Sequence, residues 1–136
     1  MADLSTTYMG IPLKNPVVAA ASAMSNKVDN IKRVEDAGGG ALVIRSLFEE
    51  QIRHEIGELD EALSQGAESY AEALSYFPQI EHAEAKEYLF WVERAREAVS
   101  MPLIASLNAV NPGKWVEYAK KLADTGVNGL EMNYYA

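Results

Sequence analysis

The sequence predicts an α/β protein built on a parallel sheet. Short apolar runs, the first β-branched at its start, alternate along the chain with segments whose apolar residues recur at helical spacing. Turn residues punctuate the changeovers, with Gly38-Gly39-Gly40, Met101-Pro102, Asn111-Pro112-Gly113 and Thr125-Gly126 at the joints. The resulting order, β-α-β-α-β-α-β, implies right-handed crossovers and parallel strands covered by helices.

Each element has its own justification. Residues 4–14 read as a short hairpin with Gly10 near its turn. Val17 to Ala21 follow Asn15-Pro16 as a strand short and apolar enough to be buried on both faces. Ser22 to Lys27 form a loop of small and polar residues, and Ser25 or Asn26 suits the N-cap of the next helix. Val28, Ile31 and Val34 mark one face of that helix over 28–37, and the glycines from Gly38 stop it. Ala41 to Ile44 form a second buried strand, with Arg45-Ser46 at its end. The stretch from Leu47 to Phe77 reads as two helical pieces. Ile52, Ile56, Leu59 and Leu63 lie on the first, and Tyr70, Ala73, Leu74 and Phe77 on the second, which Pro78 ends.

The clearest helix covers 84–99, where Ala85, Tyr88, Leu89, Val92, Ala95 and Val99 share a stripe. Leu103 to Leu107 form the third strand. A helix carrying Trp115 or Val116, Ala119, Leu122 and Ala123 follows, and 129–134 form the fourth strand. Two architectures compete for this order, a doubly wound open sheet and part of a (β/α)8 barrel. No Gly-x-Gly-x-x-Gly follows the first strand and no Gly-x-x-x-x-Gly-Lys-Ser/Thr occurs, so dinucleotide and phosphate-loop readings lose support.

Composition narrows the chemistry. The 136 residues fit a single domain, 1–136, and 49% are apolar, enough to offset chain entropy. Twelve basic against 20 acidic residues give a net charge of −8, which disfavours nucleic acid and suits a cytoplasmic surface. With no cysteine and only His54 and His82, thiolate chemistry is excluded and a metal centre is not expected. No apolar run approaches the ~20 residues of a membrane span, so no membrane partner is expected. The acidic run Glu49, Glu50, Glu55, Glu58, Asp60 and Glu61 reads as a solvated helix face. No paired carboxylates are set for general acid–base work, so no catalytic residue is assigned. Trp91 and Trp115 read as packing residues between layers.

Ligands of parallel α/β folds bind at the carboxyl ends of the strands. Those ends carry Ala20, Ala21 and Ser22, then Arg45 and Ser46, then Ser106 and Asn108, then Glu131 and Asn133. Small residues, hydroxyls, amides and one fixed cation suit a flat polar heterocycle as a small-molecule ligand. Each residue has a structural alternative. Arg45 could pair with Glu49 or Glu50, Ser22 could cap a helix, Asn108 could start a loop, and Asn133 could satisfy strand-end backbone.

Several segments resemble the dihydroorotate dehydrogenase superfamily. Leu4 to Ser22 resembles its opening. Val28 to Gly38, Ser46 to Ile52, Glu72 to Pro78, Pro102 to Asn108, Trp115 to Ala119 and Leu130 to Tyr135 resemble its dihydroorotate dehydrogenase-like branch. The resemblance covers essentially the whole chain. It implies an FMN-binding (β/α)8 barrel of which strands one to four are present. It also implies hydride transfer between the flavin and a C–C bond next to a carbonyl, as in pyrimidine biosynthesis. Carried over by position, it implies that the backbone of Ala20, Ala21 and Ser22 lines the flavin. It sets Arg45 where the family often has a lysine near the flavin N1/C2 edge, followed by Ser46. It sets Ser106 and Asn108 beside the ring system, and Asn133 on flavin and substrate.

The departures from the family pattern are specific. Nothing like the substrate motif Asn-x-x-Gly-Leu-Pro-Asn occurs in Ser64 to Pro78, and the position of the family's Cys or Ser base is Ala136, which takes no proton. A typical barrel runs to ~250 residues. The 136 residues are therefore expected to be an N-terminal half with little flavin turnover alone, and its bare strand edges to favour self-association.

Overall fold

The computed structural model describes residues 2–48, 83–108 and 112–134. The chain opens with an antiparallel hairpin, β1 (Thr6–Tyr8) and β2 (Ile11–Leu13), turning at Met9-Gly10. The parallel sheet follows, made of β3 (Val18–Ala19), β4 (Ala41–Val43), β5 (Leu47–Phe48), β6 (Leu103–Asn108) and β7 (Gly129–Asn133). Helices α1 (Val28–Asp36), α2 (Ala83–Ala98) and α3 (Pro112–Asp124) connect these strands.

The strand order decides between the two candidate architectures. β3 pairs with β4, β4 and β5 pair with β6, and β6 pairs with β7, all parallel. Neighbours in space are thus neighbours in sequence, with no reversal of strand order, whereas a doubly wound sheet needs one. The described helices also share one face. Ile31 of α1, Tyr88, Val92 and Ala95 of α2, and Trp115, Tyr118 and Leu122 of α3 form one core with Leu42, Ile44, Leu47, Leu103, Ala105 and Leu107. Alternate residues of the same strands, including Val43, Ile104, Ser106 and Asn108, point to the opposite face. Helices on one face and chain-ordered parallel strands are the (β/α) barrel arrangement.

The hairpin covers the amino-terminal end of that second face. Met9 and Ile11 side chains crowd Gly129 at the start of β7, beside Ile104. The second face is therefore apolar where the strands begin and polar where they end.

Several local readings need correction. Ser22 to Lys27 is not an open loop, because Ala23–Asn26 form a 3-10 helix. Its N-cap is Ser22, whose hydroxyl accepts from the Met24 N–H at 3.3 Å. Neither Ser25 nor Asn26 caps α1. Lys27 holds that position with extended backbone and no side-chain bond. The first strand is not buried on both faces, since Val18 and Ala19 are half-buried and Val17 is 64% exposed. Leu47 and Phe48 are strand. The helical pieces expected beyond them, and both histidines, lie outside the described residues. Trp115 is buried against the core and stacks on Tyr134 at 4.5 Å between ring centroids.

The stop after α1 is built as the glycine run suggests. Gly38 takes φ +91°, a conformation cheap only for glycine. Asn15 then locks this corner, donating from Nδ2 to the Gly38 carbonyl at 2.8 Å and accepting from the Val17 N–H at 3.0 Å. At the same end of α1, Glu35 joins the helix to the start of β6. Its Oε1 accepts from Ser100 Oγ at 2.6 Å, Met101 N–H at 2.7 Å and Ser100 N–H at 2.9 Å. The Ser100 hydroxyl is the main cause that lowers the Glu35 pKa; desolvation opposes it, and the two N–H donors and Lys14 add to the lowering. A lowered folded pKa stabilises the protein above the unfolded carboxyl's value and stops doing so as pH falls through the folded one. Glu35→Gln is expected to cost about 1 kcal/mol at pH 7 in urea unfolding. Its difference from the native chain is expected to shrink toward pH 3.

Candidate functional site

The second strand does not end where its sequence suggests. Leu42 pairs with Leu103 and Val43 with Ile104, but Leu47 pairs with Leu107 and Phe48 with Asn108. Three residues, 44 to 46, thus lie opposite two, 105 and 106. β4 and β5 are one strand interrupted by a β-bulge at Ile44-Arg45-Ser46. The extra residue switches the alternation. Ile44 and Leu47 both enter the helix-side core, and Ser46 turns to the opposite face.

Two side chains hold the bulge. The Arg45 N–H donates to Ser25 Oγ at 2.9 Å, and Ser25 Oγ donates to the Ser22 carbonyl at 2.8 Å. The Arg45 carbonyl accepts from the Tyr88 hydroxyl at 2.6 Å. Both backbone groups that leave the ladder are therefore satisfied, as burial requires. Ser25 is fully buried and Tyr88 nearly so. Burial pushes the Tyr88 phenol well above its usual pKa, partly offset by the positive charge of Arg45, so it remains a donor across the ordinary pH range.

The bulge delivers Ser46 into a polar network at the carboxyl ends of the strands. Ser46 Oγ lies 2.7 Å from Ser106 Oγ, which lies 2.8 Å from Glu131 Oε1. Asn133 Nδ2 donates to Ser106 Oγ at 2.9 Å and approaches Glu131 Oε1 at 3.4 Å. Ser106 has one proton, and the carboxylate can only accept, so Ser106 donates to Glu131 and accepts from Ser46 and Asn133. Ser106 is fully buried and is the hub of the cluster. In register with Asn133, Asn108 is 8% exposed, and its buried Oδ1 has no hydrogen-bond partner among the described residues.

Of the residues singled out by sequence, Ser46 and Asn133 both meet Ser106, with Asn108 two residues further along β6. Ala20, Ala21 and Ser22 lie exposed at the end of β3, the last as a helix cap. Arg45 is exposed at the bulge, tied by its backbone. The position given to the base, Ala136, and the loop 64–78 lie outside the described residues. Sequence reading left three contributors without a role in the site. Glu131 was visible as a strand-end residue, Ser25 as a capping candidate, and Tyr88 as part of an apolar stripe. Only the bulge gives the last two a polar task. No group of metal-ligating side chains occurs among the described residues. No described helix is long and apolar enough to cross a membrane.

Chain-ordered parallel strands, helices on one face and a polar cluster at the strands' carboxyl ends on the other define a (β/α)-type protein with a candidate site at that end of the sheet. No family profile matches the chain. Its similarities are to named enzymes. It is 28% identical over 131 residues to a putative dihydroorotate dehydrogenase A (fumarate) of Aeropyrum pernix, covering 96% of this chain and 40% of the relative. It is 32% identical over 135 residues to the protein of that same name in Pediococcus pentosaceus, covering 98% and 42%. It is 25% identical over 135 residues to the NAD-dependent dihydropyrimidine dehydrogenase subunit PreA of Escherichia coli, covering 97% and 32%. The chain is thus homologous along its whole length to dihydroorotate dehydrogenases, and it spans less than half the length of the relatives it matches.

Proposed function

We propose that this chain forms the flavin-ring side of an FMN-dependent oxidoreductase related to the dihydroorotate dehydrogenases. The substrate class is a flat heterocycle carrying a C–C bond next to a carbonyl. The observation that carries this reading is the Ser46–Ser106–Glu131–Asn133 network, on the face away from the helices at the carboxyl ends of adjacent strands. The residues present fit a flavin ring. Asn108 Oδ1, a buried acceptor with no partner among the described residues, adjoins hydroxyl and amide groups, which supports a further group completing the site. Arg45 is a permanent cation at the same end of the sheet, although its planar fork is not geometrically equivalent to lysine.

FMN, when bound, supplies hydride acceptance and donation. The chain's own residues bind and orient the ring. Ala20 to Ser22 offer backbone with little side-chain bulk, and the network fixes the hydroxyl and amide groups before a ligand arrives. Ala136 offers no group to move a proton, so dihydroorotate itself is not the substrate proposed. The test is titration of the protein with FMN, read by the flavin absorbance band. Saturable binding is expected, and Asn133→Ala is expected to weaken it about tenfold. A spectrum unchanged from free FMN at every protein concentration would refute the reading.

A second reading is favoured by the edges. Among the described residues, β3 and β7 each pair on one side only, and Val17 and Tyr134 beside them are 64% and 73% exposed. Unpaired edges template association. Sedimentation at rising concentration is expected to show a dimer, and a clean monomer at high concentration would oppose it.

A further inference from the structure

We propose that Glu131 is a positioning residue that sets the rotation of the Asn133 amide and makes Asn133 an acceptor for a ring N–H. The inference rests on the flavin-site reading above. It begins with proton counting. Ser106 Oγ lies between a carboxylate, a hydroxyl and an amide, at 2.8, 2.7 and 2.9 Å. Ionised Glu131 only accepts, so the single Ser106 proton is committed to it. Asn133 can then meet Ser106 only with its NH2 group, and the same group approaches Glu131 at 3.4 Å. The amide carbonyl is left on the opposite side, facing away from the network. A serine hub without the carboxylate would accept either rotation, because its hydroxyl could equally donate to the amide oxygen.

The ligand chemistry follows. An acceptor at the strand end takes the N–H of a ring imide and rejects an N-alkylated ring. A flavin and a dihydropyrimidine both carry that N–H. Glu131 is the one ionisable side chain on strands β3 to β7. Arg45 and the Tyr88 hydroxyl at the bulge across β6, and Tyr134 next along the chain, are the other titratable groups at that end of the described sheet. Protonated Glu131 could donate to Ser106, which frees the Ser106 proton for the amide oxygen and releases the rotation. Glu131→Gln can likewise present its NH2 group to Ser106, at every pH, so it no longer enforces one rotation.

The experiment has a ligand-free arm and a ligand arm. Side-chain amide resonances of Asn133 are followed by NMR from pH 7 to 3 in the native chain and in Glu131→Gln. A pH-dependent shift of the Asn133 resonances in the native chain that is lost in the variant is expected. Resonances that do not respond would overturn the positioning role, whatever binds. The native chain is then titrated with FMN and N3-methyl-FMN, and its FMN-loaded form with dihydrouracil and 3-methyldihydrouracil. About tenfold weaker binding of one methylated partner identifies the cofactor or the substrate as the source of the N–H. That discrimination is expected to vanish in Glu131→Gln. FMN binding without discrimination in either pair would overturn the acceptor role alone. Absence of FMN binding with the NMR coupling intact would overturn the flavin-site reading and the acceptor role together.

Discussion

Gly40→Ala is expected to destabilise the protein by about 3 kcal/mol or more, among the largest single-site effects in the described chain. Gly40 opens the second strand, where its N–H donates to the Val17 carbonyl at 2.8 Å. A Cβ there would overlap the Asn15 carbonyl oxygen and press on Asn15 Oδ1 at 3.0 Å. The overlap is with backbone, so no rotamer change relieves it. Asn15 is itself tied to Gly38 and Val17, so shifting it would undo the corner between β3 and α1. Relief therefore requires β3 to separate from β4. Thermal unfolding of the variant should show a large fall in midpoint. A midpoint within a degree or two of the native chain would mean that β3 is not held as described. At Gly38 the same substitution meets open space and only a conformational penalty, so a much smaller loss is expected there.

Ser106→Ala is expected to separate stability from binding. The substitution adds no atom and removes the hub hydroxyl from a fully buried position. Ser46 and Asn133 lose an acceptor and Glu131 loses a donor. Leaving such groups unsatisfied costs about 1–3 kcal/mol, less than emptying the core at Leu103, where Leu→Ala costs about 2–5 kcal/mol. Binding of FMN is expected to fall further, by more than tenfold, because Asn133 and Ser46 both lose their fixed orientation. Urea unfolding measures the first effect and flavin titration the second. Leu103→Ala is the control, since it weakens the fold through the helix-side core and leaves the network untouched. Equal losses of binding in the two variants, after correction for folded fraction, would show that the network has no specific role.

Much of this architecture is legible in the sequence, for identifiable reasons. Helices α1, α2 and α3 bury one stripe each, and the 3.6-residue period of Val28-Ile31-Val34 or Tyr88-Val92-Ala95-Val99 announces them. β6 shows through the short apolar run Leu103-Ile104-Ala105, which is buried throughout. The choice between barrel and doubly wound sheet is not legible, because local periodicity does not say which face a helix covers. Strand order decides it. The bulge at 44 to 46 is likewise hidden. A strict two-residue alternation would send Arg45 to the face of Val43 and Ser46 into the helix layer. The register shift reverses this, and only the tertiary partners Ser25 and Tyr88 stabilise it. The site was therefore half visible. Ser46, Ser106 and Asn133 could be placed at strand ends, but their meeting depends on a backbone irregularity held from 20 and 43 residues away.

The ligand is expected on the face away from the helices, at the carboxyl ends of β4 to β7. Backbone amide shift mapping on adding FMN tests that placement most directly. Perturbations concentrated at Ser46, Ser106, Asn108 and Asn133, with Ala20 to Ser22 at the margin, are the expected result. Perturbations confined to α1, α2 and α3, or to the hairpin end near Met9 and Gly129, would contradict it.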